Sequence, residues 1–359
     1  MNFEDFLASP SPIKTETWQL GSIIEKAPCP GGIALIFVSE LRGYGMGAEP
    51  MDFSGIRRQL YKLSKLDFHV PVFDAGDLIS GRTYEDSCYV LEEFLVFCHT
   101  HQMLPMVIGG SSDLTYFLLR SLAQSEKNMM LARFSSRVSL QDDEKSLSVQ
   151  NFLTRTVSSQ DIGLKALCHL GHQKHLNAPE SISLLREVEF ETLRLAELMN
   201  GTDNAEPLLR HAHVVSFSAD VMQSDAVGVS LSPQINGLNR RETMAYFKEM
   251  GLGENIRTVG IFDLDLDSGN WQNHQLCAQM VWHFIEGVNI QRSHPKSRLY
   301  ETYHVLNDLG QWTFHRDTFS SKWYFGQGED STQWIPCRYQ DYTEAKAGFM
   351  PPGLLRRSL

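Results

Sequence analysis

Five polar clusters stand at the ends of apolar runs in this chain, and their residue types suit hydrolysis, metal binding or anion binding. They are Ser111, Ser112 and Asp113 in "VIGGSSD", Arg133, Ser135, Ser136 and Arg137 in "RFSSR", Ser218 and Asp220 in "SFSAD", Asp263, Asp265 and Asp267 in "GIFDLDLD", and His169, His172 and His175 in "HLGHQKH". Carboxylate and imidazole could hold a cation, a serine beside His and Asp could be a nucleophile, and guanidiniums suit a carboxylate or phosphate. Serine hydrolysis is disfavoured because the nearest approach to a nucleophile elbow, "GGSSD", lacks the second glycine. The histidines, three apart, would share a helix face, but "LKALC" before them predicts a strand, whose alternation separates His169 from His172. With no acidic neighbour, they are expected to be ordinary surface or satisfied histidines. Asp142 and Asp143 in "SLQDDEKS" are expected to be solvated rather than displaced ligands, and Asp74 and Asp77 in "FDAGDLISG" to serve a turn.

Something must carry these clusters, and seven short apolar runs with strand character supply it, at 32–40, 68–77, 104–110, 129–136, 164–171, 213–220 and 256–265. Helix-spaced residues lie between them: Ile56, Leu60 and Leu63; Leu91, Leu95 and Cys98; Leu114, Phe117 and Leu118; and later Cys277, Val281 and Phe284. Alternating strands and helices predict an α/β fold with a mainly parallel sheet covered by helices on both faces. Ligands of such sheets bind at the carboxyl ends of the strands, where the polar clusters fall. With no linker or repeat, one α/β domain over 1–295 is expected, followed by an aromatic-rich extension over 296–359 that carries Trp312, Trp323, Tyr324, Trp334 and Tyr339 and packs on the same domain.

Composition narrows the class. The 359 residues are 42% hydrophobic, enough for a sizeable core, and 43 acidic against 32 basic residues give a net charge of -11, which argues against nucleic acid as a partner. The six scattered cysteines form no CxxC pair, so neither a disulfide framework nor a zinc ribbon is expected. The start "MNFEDFLASPSP" lacks the basic and apolar regions of a signal peptide, and no apolar run is long enough to span a bilayer, so a cytoplasmic address without membrane insertion is expected.

The order and form of the strand ends resemble the ureohydrolases, the family of arginase, agmatinase and formimidoylglutamase, and the formimidoylglutamase branch most. "FVSELRGYGMGAEP" followed by "IRRQLYKL" looks like that branch's opening strand, Gly-rich loop and first helix. "VIGGSSD" is placed like Gly-Gly-Asp-His-Ser, "RFSSR" like Asp-Ala-His-x-Asp, "SFSAD" like Ser-Phe-Asp-x-Asp, and "GIFDLDLD" like the late Glu-x-Asn-Pro-x-x-Asp motif. "SDAVGVSLSPQINGLNRRE" resembles the Pro- and Gly-rich loop that follows. The resemblance implies a three-layer arginase-like fold, and in the family two manganese ions held by two His and four Asp generate the hydroxide that attacks a guanidinium or amidine carbon.

Carried over one by one, the ligand positions fall on Ser112, then on Arg133, Ser135 and Arg137, then on Ser218 and Asp220, with the late Glu on Asp263. Asp220 alone of the six keeps its chemistry. Serine is a feeble ligand and guanidiniums repel a dication, so no manganese site and no other cofactor is expected. The resemblance then implies a catalytically inactive member acting through an anionic small molecule or a protein partner, with Arg133 and Arg137 either lining an anion pocket or in surface salt bridges. Two alternatives stand beside it: a hydrolase of linear amidines with a site rebuilt on Asp220, Asp263 and Asp265, and a structural subunit of an assembly, since the family commonly forms homo-oligomers. At the "GGSSD" junction, Ser112 or Asp113 is expected to cap the helix that starts near Leu114.

Overall fold

The computed structural model describes residues 3–141, 146–224, 228–266, 271–308, 310–351 and 353–355, so that Asp142, Asp143 and Asp267 lie outside the described residues. Among the described residues the strands are β1 (Leu7–Ala8), β2 (Ile24–Glu25), β3 (Ile33–Val38), β4 (Val72–Leu78), β5 (Leu104–Ile108), β6 (Met129–Phe134), β7 (Leu164–His172), β8 (Glu191–Arg194), β9 (Val214–Ser218), β10 (Thr258–Phe262), β11 (Tyr300–Asn307), β12 (Gly310–Asp317), β13 (Trp323–Phe325) and β14 (Ile335–Cys337). All seven apolar runs become strands of one ten-stranded sheet, ordered β1-β4-β3-β5-β10-β9-β6-β7-β8 with β2 beside β4. Only β1 on β4 is antiparallel among its ladders.

The continuous apolar runs are what a sheet covered on both faces requires. On one face Leu35 and Phe37 pack with Ile56, Tyr246, Phe247, Val281 and Phe284 from helices Ser54–Leu60, Arg240–Gly251 and Trp271–Ser293. On the other, Ile36 and Val38 pack with Leu91, Leu95, Phe117, Leu118 and Phe152 from helices Tyr84–Thr100, Thr115–Arg120 and Phe152–Ser158. Helices Arg240–Gly251 and Trp271–Ser293 pack so closely that a Cβ on Gly287 would sit 2.2 Å from the Lys248 carbonyl oxygen.

Residues 300–337 form a separate antiparallel sheet, β11-β12-β13-β14, with its own apolar cluster around Phe314, Trp323 and Phe325. It is tied to the larger layer where Arg210 donates to the carbonyls of Trp323 (3.0 Å) and Cys337 (3.2 Å), and where Arg298 meets Glu254 at 2.6 Å.

Asp74 does more than take the Gly76 amide two residues on, at 2.9 Å. It is buried within β4, accepting from Arg57 Nε at 2.7 Å, Arg57 Nη2 at 3.0 Å and the Tyr61 hydroxyl at 2.7 Å, while Asp77 accepts from Arg57 Nη1 at 2.5 Å. A register shift in the β3–β4 ladder, with Gly76 at φ 102°, lets both carboxylates reach one guanidinium despite their odd spacing. Removing one partner of a buried pair strands the other charge. Asp74→Ala is therefore expected to cost about 3–5 kcal/mol in urea unfolding, and Asp74→Leu combined with Arg57→Met to recover most of that loss; equal stabilities for the single and double variants would contradict this.

Candidate functional site

β5, β10, β9 and β6 are consecutive neighbours in the sheet, so their carboxyl ends bring together clusters far apart in the chain. The turn after β5 depends on two glycines in the left-handed region, Gly109 (φ 88°) and Gly110 (φ 76°), and a Cβ on Gly109 would lie 2.5 Å from the Val38 carbonyl oxygen. Across the strands, Gly109 N donates to Ile261 O and Asp263 N donates to Gly110 O, both at 2.9 Å. The expected helix cap is not formed. The turn Ser112–Leu114 starts from Ser111, and the helix Thr115–Arg120 from Leu114, both without a side-chain cap bond. Ser112 N donates to Asp263 Oδ1 at 2.9 Å, and Asp113 accepts from the Tyr84 hydroxyl.

Two buried carboxylates organise the floor. Asp263 also accepts from the Ser218 hydroxyl at 2.6 Å. Asp220 accepts from the Ser135 hydroxyl (3.1 Å), the Ser136 amide (3.2 Å) and the Ser136 hydroxyl (2.5 Å). The structure thus joins Ser112, Ser135, Ser218, Asp220 and Asp263 into one network, with Asp263 itself in the left-handed region at φ 59°. Burial pushes the Asp263 carboxyl up to about 6, against the opposing pull of the Ser218 hydroxyl. Burial likewise pushes Asp113 up to about 6. Asp265 is half-buried outside this network, its carbonyl accepting from Asn273 Nδ2 at 2.9 Å.

Arg133 and Arg137 part company, and the expectation of one pocket lined by both is corrected accordingly. Arg133 is 2% exposed and lies over the Phe152 ring at 5.1 Å. It donates Nη1 to the Arg137 carbonyl (2.6 Å) and Nη2 to the Ser139 hydroxyl (2.9 Å). Burial pushes its guanidinium down to about 10, with Asp220 and Asp263 acting in the opposite sense, so it stays charged at neutral pH. The Arg137 side chain is exposed, and its field reaches Tyr44, a residue of the Gly-rich loop after β3.

Tyr44 also feels Asp220 and Asp263, so it belongs to the surroundings of the site although only its glycine-rich context marked it in the sequence. The histidine expectation also changes. His169 and His172 are both buried in β7, and a ladder irregularity at Gly171 (φ 96°) brings their rings to 6.0 Å despite the odd spacing. His169 Nδ1 lies 3.4 Å from Arg133 Nη1, and burial holds His169 well below the usual imidazole range, so it is neutral beside that cation. His175 is exposed.

A mainly parallel sheet between helices, with polar groups gathered at the carboxyl ends of four adjacent strands, defines an α/β protein with a strand-end site. The chain belongs to the arginase family, whose model matches residues 42–285. The fold is that of the ureohydrolases, a family of hydrolases acting on carbon–nitrogen bonds. A formiminoglutamase of Trypanosoma cruzi, crystallised with manganese, superposes with a TM-score of 0.68 at 17% identity, over 77% of this chain and 99% of its own. The formimidoylglutamase of Bacillus subtilis gives 0.66 at 14% identity, over 81% and 98%. A hypothetical agmatinase of Burkholderia thailandensis gives 0.61 at 15%, over 76% and 90%. No curated protein matches the chain.

The raised carboxyls give a signed pH dependence. A carboxyl whose folded value lies above its unfolded one stabilises the fold below the unfolded value and loses that contribution as pH rises through the folded one. For Asp263 the window runs from 3.8 to about 6. Between pH 4 and 7, Asp263→Asn is expected to gain roughly 3 kcal/mol of stability relative to the wild type in urea unfolding; a difference that stays flat across that range would refute the assignment.

Proposed function

We propose that this chain is a catalytically inactive member of the arginase family that acts by binding, either to an anionic small molecule or to a protein partner. The observation that carries the proposal is the state of Asp220 and Asp263. Each carboxylate is occupied by hydroxyl and amide donors of its own chain, and the buried Arg133 guanidinium already supplies positive charge beside them.

The residues present do not fit the family's two manganese ions. Among the described residues no group of three or more His, Cys, Asp or Glu is placed to hold a metal ion, and a dication near Arg133 would be repelled. The positions matched to the family's ligands hold Ser112, Arg133, Ser135, Arg137 and Ser218 besides Asp220. Lacking a strong nucleophile, such a site has no counterpart for the hydroxide that attacks an amidine carbon.

A second reading, a hydrolase of linear amidines rebuilt on Asp220, Asp263 and Asp265, draws on Asp263, whose raised titration near neutrality is the kind a general base shows. Among the described residues no helix is long and apolar enough to cross a membrane. That no disulfide joins the cysteines among the described residues supports a reducing, cytoplasmic setting.

Metal content and turnover decide between the readings. After incubation with manganese and desalting, the protein is expected to retain far less than one ion per chain and to leave guanidino and formimino compounds unhydrolysed. Stoichiometric manganese together with turnover would overturn the proposal, and metal-free turnover abolished by Asp263→Asn would establish the second reading. Arg137→Asp is expected to weaken retention of a carboxylate or phosphate probe without shifting Tm if the ligand is an anion, and to leave it unchanged if the partner is a protein.

A further inference from the structure

Sheet edges expose unpaired backbone groups, and proteins blunt them with short strands, charge or proline. Three of the four edges here follow that rule: β1 has two residues, β8 has four with Glu191 and Arg194 at its ends, and β14 has three with Pro336 at its centre. β11 does not. Its eight residues run in unbroken register with β12, contain no proline, and carry one charged side chain, Glu301.

The outward groups can be assigned. Thr318 N donates to Leu299 O at 3.0 Å, which turns Leu299 toward β12. Alternation then points the N–H and C=O of Tyr300, Thr302, His304 and Leu306 away from the sheet. No described residue takes their backbone bonds, Thr302 and His304 are exposed, and Leu306 is 83% exposed.

We propose that β11 pairs with β11 of a second copy of this chain, antiparallel about a twofold axis through Tyr303. In that register Tyr300 faces the partner's Leu306 and Thr302 faces the partner's His304, so every outward group meets another and about eight backbone bonds form. The charge pattern selects the same arrangement. Glu301 lies opposite the partner's Val305, whereas a parallel pairing would set it beside its own copy. On the open face, Tyr300 covers the exposed Leu306 of the other chain. This assembly is independent of whether the strand-end site turns over a substrate.

Sedimentation equilibrium of the full chain tests it. The wild type is expected as an even-numbered assembly of the 40.8 kDa chain. His304→Pro removes an outward N–H and no backbone bond to β12, only the 3.4 Å contact of His304 Nδ1 with the Thr313 hydroxyl, and Leu306→Lys puts a charge where the partner's Tyr300 would cover an apolar side chain; each is expected to halve the assembly mass with circular dichroism and Tm unchanged. A wild type that stays monomeric at all concentrations, or an assembly that both folded variants leave intact, would overturn the proposal.

Discussion

The Arg133 guanidinium carries its charge at the carboxyl end of β6 at 2% exposure, and the groups around it are arranged to make that burial tolerable. A buried cation needs hydrogen-bond acceptors and nearby negative charge. The Arg137 carbonyl and the Ser139 hydroxyl supply the first, the guanidinium lies over the Phe152 ring, and Asp220 and Asp263 supply the second. His169, close enough to compete for a proton, is held neutral by the same burial and the same cation. Burial first, and then the guanidinium on β6, keep its neighbour on β7 neutral, and the same guanidinium brings positive charge to the two carboxylates.

The backbone beneath this layer does not depend on what the side chains can bind. The Gly109–Gly110 turn is held by bonds between main-chain atoms of β5 and β10, and the sheet is held by apolar residues on both faces. That separation explains why identities of 14–17% suffice for TM-scores of 0.66–0.68 with the two formimidoylglutamase structures. Packing and turn geometry constrain residue class over hundreds of positions, whereas ligand chemistry rests on a handful that can change together without disturbing the fold.

The same distinction governs what was legible in the sequence. Continuous apolar runs marked all seven central strands, and helix spacing marked the layers around them, because burial on both faces leaves a strong pattern. Side-chain direction was less legible. Asp74 with Asp77, and His169 with His172, are three apart and belong on opposite faces of a regular strand, yet irregularities at Gly76 and Gly171 turn each pair to one side. One extra residue reverses the parity of everything after it, and an isolated glycine within an apolar run is only a weak sign of that. β8, "ETLR", is too short and polar to stand out, and the small sheet over 300–337 appeared only as an aromatic-rich extension because β11 is mostly exposed and β13 and β14 are three residues long. Arg133 and Arg137 looked equivalent in "RFSSR"; the strand ends between them, which buries one and exposes the other.

Charge balance connects these details to the reading of the site. A pair of divalent cations would impose a large positive charge and demand fully ionised ligands around it. Here a single guanidinium acts with Asp220 and Asp263, and burial holds Asp263 up near 6, so that a proton can share in neutralising the layer as the pH falls. Hydroxyls suit that regime because a serine can donate to a carboxylate, or accept from a carboxylic acid, without moving. Ser135 and Ser218 contribute their hydroxyls in this way. In a layer shaped by burial and one guanidinium, they let Asp263 and Asp220 keep hydrogen-bond partners whether ionised or protonated.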